Sequence, residues 1–118
     1  MSLVLENIAK NGALNGCWDL LNGGTLNICE GAVVAATLTL ANPCCAAAAS
    51  GQKTFNAITE DTSAAGTAGD VDNGKFYTSG SALHSTASVG LTNAEIILTS
   101  LSIPADAEVY IDTGTIST

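Results

Sequence analysis

The second half of the chain, residues 51–118, consists of short apolar segments separated by turn-forming residues, and this spacing constrains the fold more than any other feature. Clusters of Gly, Asn, Asp and Pro recur there about every 8–12 residues. A chain interrupted at that interval has no room for long helices, and the pattern is typical of antiparallel sandwiches and barrels. We therefore predict a mainly β fold, an antiparallel β-sandwich or barrel.

The clearest strand signals lie near the C-terminus. Residues 94–99 and 108–116 read as strands, with a tight turn at residues 104–107 between them. In the last strand Val109 and Ile111 share one face and Tyr110 lies on the other. Earlier in the chain, Asn73-Gly74 is the dipeptide favoured by type I′ hairpins, so we expect a turn there.

Further strands are expected between the N-terminal region and this end. They cover residues 25–29, 33–40, 52–59 and 82–89. In the second of these, Val34, Ala36, Leu38 and Leu40 alternate with Thr37 and Thr39, so the two sets should face opposite sides of the sheet.

The N-terminal region predicts one helix over residues 3–22. Leu14, Cys17, Trp18 and Leu21 recur at helical spacing and form one apolar stripe. Asn22-Gly23-Gly24 then ends the helix. We expect this helix to pack on the sheet, with Trp18 as its anchor, in a single domain made of a helix (1–24) and a β module (25–118).

Charge excludes two classes of partner. Lys10, Lys53 and Lys75 are the only basic residues, and eleven carboxylates give a net charge of −8. Nucleic-acid binding requires a basic surface, and anionic membranes attract one, so neither partner is expected. No apolar run is long enough to span a membrane, and the first residues lack a signal-peptide pattern. We expect synthesis in a cytoplasm.

The four cysteines, Cys17, Cys29, Cys44 and Cys45, do not have the spacing of a metal site. The adjacent pair is disfavoured as a disulfide because it would be strained. We interpret all four as small buried or half-buried apolar residues, and the alternative is a structural or interchain disulfide.

No residue set predicts catalysis. His84 is the only histidine, and nothing in the sequence spacing pairs it with a cysteine. Asp70 opens a stretch that begins like a calcium loop, but Gly74 and Ser81 occupy two positions that require oxygen-rich ligands. Glycines do not form a phosphate-binding motif. We therefore expect no enzyme activity, no cofactor and no metal.

Four blocks of the chain resemble a family of small virion proteins of tailed bacteriophages. They are ALNGCWDLLNGGTLNICEG (residues 13–31), AATLTLANPCCAAAASG (35–51), FNAITEDTSAAGTAG (55–69) and TASVGLTNAEIILTSLSIPADAEVYIDTGTIST (86–118). The chain departs from the family pattern at residues 70–76, which lack an aromatic–Arg pair, and between Ile28 and Val34, where it is shorter.

The resemblance implies a virion structural protein without catalytic residues. The first hypothesis is a capsid decoration (cement) protein on the capsid exterior, bound to the major capsid protein and to copies of itself as a dimer or trimer. Trp18, Tyr77 and Tyr110 are the candidate interface residues. The alternative is a tail, fibre or baseplate component that contacts the host surface.

Overall fold

The fold is known from a computed structural model that describes residues 6–50, 52–98, 100–111 and 115–117. Its elements in chain order are α1 (Asn7–Trp18), a 3-10 turn (Asp19–Leu21), β1 (Thr25–Glu30), β2 (Val33–Thr39), β3 (Gln52–Thr54), β4 (Asn73–Tyr77), β5 (Leu83–Gly90), β6 (Ile96–Ile97) and β7 (Thr115–Ser117). The prediction of a mainly β chain with one N-terminal helix is confirmed.

Five strands form an open, curled sheet in the order β2-β1-β4-β5-β6, and β3 pairs with β7 in a second, two-stranded sheet. The expected sandwich is not confirmed. The expected purely antiparallel pairing is wrong, because β5 and β6 run parallel, with Val89 opposite Ile96. Two hydrogen bonds connect the segment around β6 to β5: Glu95 N–H donates to Ser88 Oγ, and Leu98 N–H donates to the Gly90 carbonyl.

The concave side of the sheet carries the apolar core. Cross-strand pairs such as Leu26–Phe76 and Ile28–Gly74 place alternate residues on this side. The larger core residues are Leu21, Leu26, Ile28, Leu38, Leu40, Phe55, Val71, Phe76, Val89, Ile96, Leu98, Ile103 and Val109. Many of them come from outside the five strands, because loop segments close the curve of the sheet.

The free edge of β2 is covered by a loop segment. Thr39 and Thr59 exchange backbone hydrogen bonds of 3.2 and 2.8 Å, and Thr37 N–H donates to Asp61 Oδ2 at 2.9 Å. An uncovered edge strand is a site for unwanted strand pairing. The segment that contains Thr59 and Asp61 covers the edge of β2. It also joins the residues around Val109 to the sheet, since Asp61 pairs with Val109.

A β-bulge in β2 corrects the predicted faces of that strand. Ile28 lies opposite Ala36 and Cys29 opposite Val34, so Ala35 is the extra residue. Both Ala35 and Ala36 are buried, whereas Val34 is 37% exposed. Val34 therefore does not share a face with Ala36, because the bulge reverses the alternation before it.

The predicted hairpin turn at Asn73-Gly74 is wrong, since both residues lie inside β4. A Cβ on Gly74 would lie 2.6 Å from the Cδ1 atom of Ile96, so the glycine makes room for core packing. The Asn73 side chain donates to the Gly31 carbonyl and to Asp72 Oδ1. Hydrogen bonds from Asn73 and from the Gly31 N–H hold the pKa of Asp72 below its ordinary value.

Several other elements are shorter than predicted. The strand predicted at 52–59 ends at Thr54, and that at 94–99 is reduced to Ile96–Ile97, with residue 99 outside the described chain. Near the C-terminus, residues 108–111 do not form the predicted strand: Val109 makes an isolated bridge with Asp61, and β7 begins only at Thr115. Val109 is nevertheless buried and Tyr110 is 53% exposed, as the alternation predicts. Residues 112–114 of that predicted strand, and residues 3–5 of the predicted helix, lie outside the described residues.

Substitution of Gly74 by alanine is expected to destabilise the fold by about 1–2 kcal/mol, because the new methyl overpacks the core against Ile96. Ile96→Val removes the opposing Cδ1 atom, so the double variant should lose less than the sum of the single variants. Urea unfolding of all three measures this coupling.

The matched control is Gly12→Ala on α1, where a Cβ meets nothing within 4 Å. It should leave stability unchanged or raise it by up to about 1 kcal/mol. Strict additivity of Gly74→Ala and Ile96→Val would show that the two side chains do not compete for one volume.

Candidate functional site

The three predicted interface residues lie in different places. Trp18 is half-buried at the end of α1, and Tyr77 is half-buried on β4. Tyr110 follows Val109, so β1, β2 and the segment around Thr59 separate it from Tyr77. The structure therefore does not assemble them into one contact surface.

Trp18 lies at the centre of an aromatic cluster. Its ring centroid is 6.2 Å from that of Phe55 and 5.9 Å from that of Phe76, both edge-to-face, and 4.9 Å from the His84 ring. Phe55 and Phe76 stack on each other at 5.7 Å. These are the favoured geometries of aromatic pairs, so Trp18 anchors the helix to the sheet as predicted.

His84 and Cys17 meet in the structure, although sequence spacing gave no sign of it. The Nε2 atom of His84 is 2.8 Å from the Cys17 carbonyl oxygen and 3.6 Å from its Sγ atom. A carbonyl only accepts, so Nε2 carries the proton, and in the neutral ring Nδ1 accepts from Ser85 Oγ at 3.0 Å. The ring has no free nitrogen to act as a base for the thiol, and the contact joins α1 to β5.

Beneath α1 lies a group of polar side chains that we call the Lys53 cluster: Asn15, Asp19 and Lys53. Lys53 is only 2% exposed. Its Nζ atom donates to Asn15 Oδ1 at 2.7 Å and lies 3.1 Å from Asp19 Oδ1. The Ala48 N–H donates to the same Asn15 oxygen at 3.0 Å. A buried ammonium needs such partners, because its desolvation is costly.

Sequence reasoning missed the burial of Lys53, but a signal was available. Strand alternation places Lys53 on the same face as Phe55, which is buried. What the sequence did not supply is the partner set, because Asn15 and Asp19 are far from Lys53 along the chain and lie at the end of another element.

The adjacent cysteines lie next to this cluster. Their Sγ atoms are 3.0 Å apart, and the Cys44 thiol donates to the Trp18 carbonyl at 3.2 Å. Burial, followed by the hydrogen bond with Cys44, raises the pKa of Cys45 to about 12. Burial likewise raises the pKa of Cys29. All four thiols are free, and the prediction that they are buried or half-buried is wrong for Cys17, which is exposed.

The convex side of the sheet is open to solvent and mostly polar. Its side chains come from Thr25, Asn27, Thr37, Thr39, Lys75, Tyr77, Leu83, Thr86 and Ser88. Lys75 has no ion pair among the described residues.

At one end of this convex side, the large apolar side chain of Leu83 is exposed. Leu83 is 57% exposed and lies opposite the half-buried Tyr77. We call these two residues the Leu83 patch.

A small cleft of about 80 Å³ lies elsewhere, lined by Leu98, Ser100, Ser102, Ile103, Ala107, Glu108, Val109 and Tyr110. Beside the cleft, Glu108 raises the pKa of Glu60. It does so first through a hydrogen bond between the carboxyl groups of the two residues and second through its negative charge. The cleft thus combines hydroxyls, a carboxylate and an exposed aromatic ring.

Within the described residues, no group of three or more His, Cys, Asp or Glu side chains could hold a metal ion. No helix of that part of the chain is long and apolar enough to cross a membrane. No protein-family model, curated protein sequence or solved structure matches the chain. The resemblance to phage virion proteins therefore remains a prediction.

Replacing Trp18 by alanine is expected to cost about 3 kcal/mol of stability, because it removes the ring that contacts Phe55, Phe76 and His84. Tyr110→Ala, at a side chain 53% exposed, should change stability by less than about 0.5 kcal/mol. Thermal unfolding followed by circular dichroism compares them. Equal losses would contradict the anchoring role of Trp18.

Thiol labelling of the native protein should show one fast cysteine, Cys17, and three protected ones. The thiolate is the reactive form, and burial disfavours it at Cys29 and Cys45. Cys17→Ser should remove the fast phase, whereas Cys44→Ser should retain it. After unfolding without reductant, all four thiols should titrate, and fewer would reveal a disulfide.

Proposed function

We propose that this protein is a capsid decoration protein, a structural component of a tailed-phage virion that binds the outer shell and stabilises it. The observation that carries the proposal is the Leu83 patch, in which exposed Leu83 lies opposite Tyr77 on a mostly polar surface. Apolar and aromatic side chains at the centre of a polar surface are typical of protein–protein contacts.

The residues of the Leu83 patch are held in fixed positions, which suits a permanent contact. Tyr77 and Leu83 lie opposite each other on the paired strands β4 and β5, which hold their backbones in place. Side chains held in place lose little conformational entropy when a partner binds. The proposed role is therefore buried contact area with the major capsid protein, and it includes no catalytic step.

The charge of the chain supports an exterior position. A net charge of −8 repels packaged nucleic acid and keeps a protein soluble at high local concentration. Copies of the chain, as a dimer or trimer, are the second proposed partner, because a shell surface presents its binding positions around symmetry axes. Synthesis in the host cytoplasm and assembly onto the capsid exterior complete the proposal.

A tail, fibre or baseplate component is the second candidate, and the cleft beside Tyr110 favours it. An exposed aromatic ring next to Glu108 and serine hydroxyls offers stacking and hydrogen bonds to a sugar ring on the host surface. This candidate places the protein at few positions at the tail.

Binding of purified protein to shells that lack it tests the first candidate. Leu83→Glu should weaken binding by about tenfold or more, because it places a charge in the centre of the contact. Leu91→Glu is the matched control, since Leu91 is 53% exposed beyond the opposite end of β5. It should bind as the parent protein does.

Cryo-electron microscopy of the virion shows where the protein lies on the particle. Density for the chain repeated over the shell supports decoration. Density confined to the tail would support the second candidate, and equal binding by Leu83→Glu and the parent protein would remove the Leu83 patch as the contact.

A further inference from the structure

We propose that Lys53 and Asn15 react with each other to form an intramolecular amide (isopeptide) bond, which releases ammonia and links β3 covalently to α1. The juxtaposition behind the proposal is a buried lysine amine 2.7 Å from an asparagine side-chain oxygen, with the carboxylate of Asp19 at 3.1 Å. This modification site does not depend on the decoration role.

The first requirement is a nucleophile held against an electrophilic carbon. The Asn15 Cγ atom is bonded to Oδ1, so Lys53 Nζ lies within about 3.9 Å of it, given a C=O bond of about 1.23 Å. Lys53 is 2% exposed and lies on a paired strand, so its position is fixed. Fixing two groups at such a distance replaces a slow bimolecular reaction by a fast intramolecular one.

The second requirement is stabilisation of the negative charge that develops on the amide oxygen. The Ala48 N–H donates to Asn15 Oδ1 at 3.0 Å. Since a backbone N–H donates only to an acceptor, it also establishes which atom of the Asn15 amide is the oxygen. A fixed backbone donor at this distance is the arrangement by which oxyanions are stabilised in acyl transfer.

The third requirement is a proton carrier, and Asp19 occupies that place. Its carboxylate accepts a proton from the Lys53 ammonium, and the neutral amine attacks Cγ of Asn15. The carboxyl then transfers this proton to the Asn15 amide nitrogen, which leaves as ammonia, and the Asp19 carboxylate takes a second proton from the attacking Nζ and passes it to the ammonia. One Nζ–Cγ bond forms, one Cγ–Nδ2 bond breaks, the ammonium ion carries away the positive charge of the lysine, and the Asp19 carboxylate is regenerated.

The surroundings favour the reaction over a permanent ion pair. Phe55 and Cys45, both buried, flank the strand that carries Lys53, so water is largely excluded from the amine. Asp19 is about half exposed, with 53% of its side chain accessible, which gives the released ammonia a route to solvent. The bond would tie together elements far apart in sequence and so restrict the unfolded chain.

The intact mass of the purified full-length protein tests the proposal. We expect a mass lower than that of the sequence by one ammonia, and a proteolytic map that contains one branched peptide joining Lys53 to Asn15. Lys53→Arg should restore the full mass of its own sequence, and Asp19→Asn should restore it or slow its loss. Lys75→Arg is the matched control and should retain the loss.

Each other outcome overturns the proposal. A full mass in the folded parent protein shows that Lys53 and Asn15 form only a hydrogen bond. Loss of water in place of ammonia shows a bond to Asp19. Loss of ammonia that persists in Lys53→Arg, without a branched peptide, shows cyclisation at an Asn-Gly sequence such as Asn22-Gly23. The parent peptide map decides the question even if a variant does not fold.

Discussion

The edge-to-face packing of Trp18 on Phe55 and Phe76 fixes the N-terminal helix on the sheet. The sheet curls, but no second five-stranded sheet covers its concave side in the described chain. Because the chain has few large side chains, the indole of Trp18 alone covers the end of the core that the strands leave uncovered. The position of α1, and of every group it carries, follows from this contact.

Because Trp18 fixes α1, the helix brings polar groups to places where the strands alone would leave charges unpaired. Asn15 and Asp19 reach Lys53, and the Trp18 carbonyl accepts the thiol of Cys44. The contact between Cys17 and His84 joins the same helix end to β5. One helix end therefore positions the Lys53 cluster and contacts the strand that carries Leu83.

Local patterns predicted the parts of the fold that local chemistry controls. The stripe that includes Leu14 and Trp18 predicted the helix, and β1 and β2 lie where alternation placed them. The exposure of Tyr110 beside buried Val109 follows from the same alternation. The aromatic anchor of the candidate site was predicted, but its neighbours were not, since pairing between distant segments leaves no local pattern.

The strand-rich character, the N-terminal helix and the strongly negative charge follow from composition and periodicity, which act within a few residues. The place of Asn73-Gly74 inside a strand depends on long-range packing, since Ile96 needs the space that Gly74 leaves. The same holds for the parallel pairing of β6 and for the partners of Lys53. Each depends on which distant segments meet, and packing of the whole core decides that.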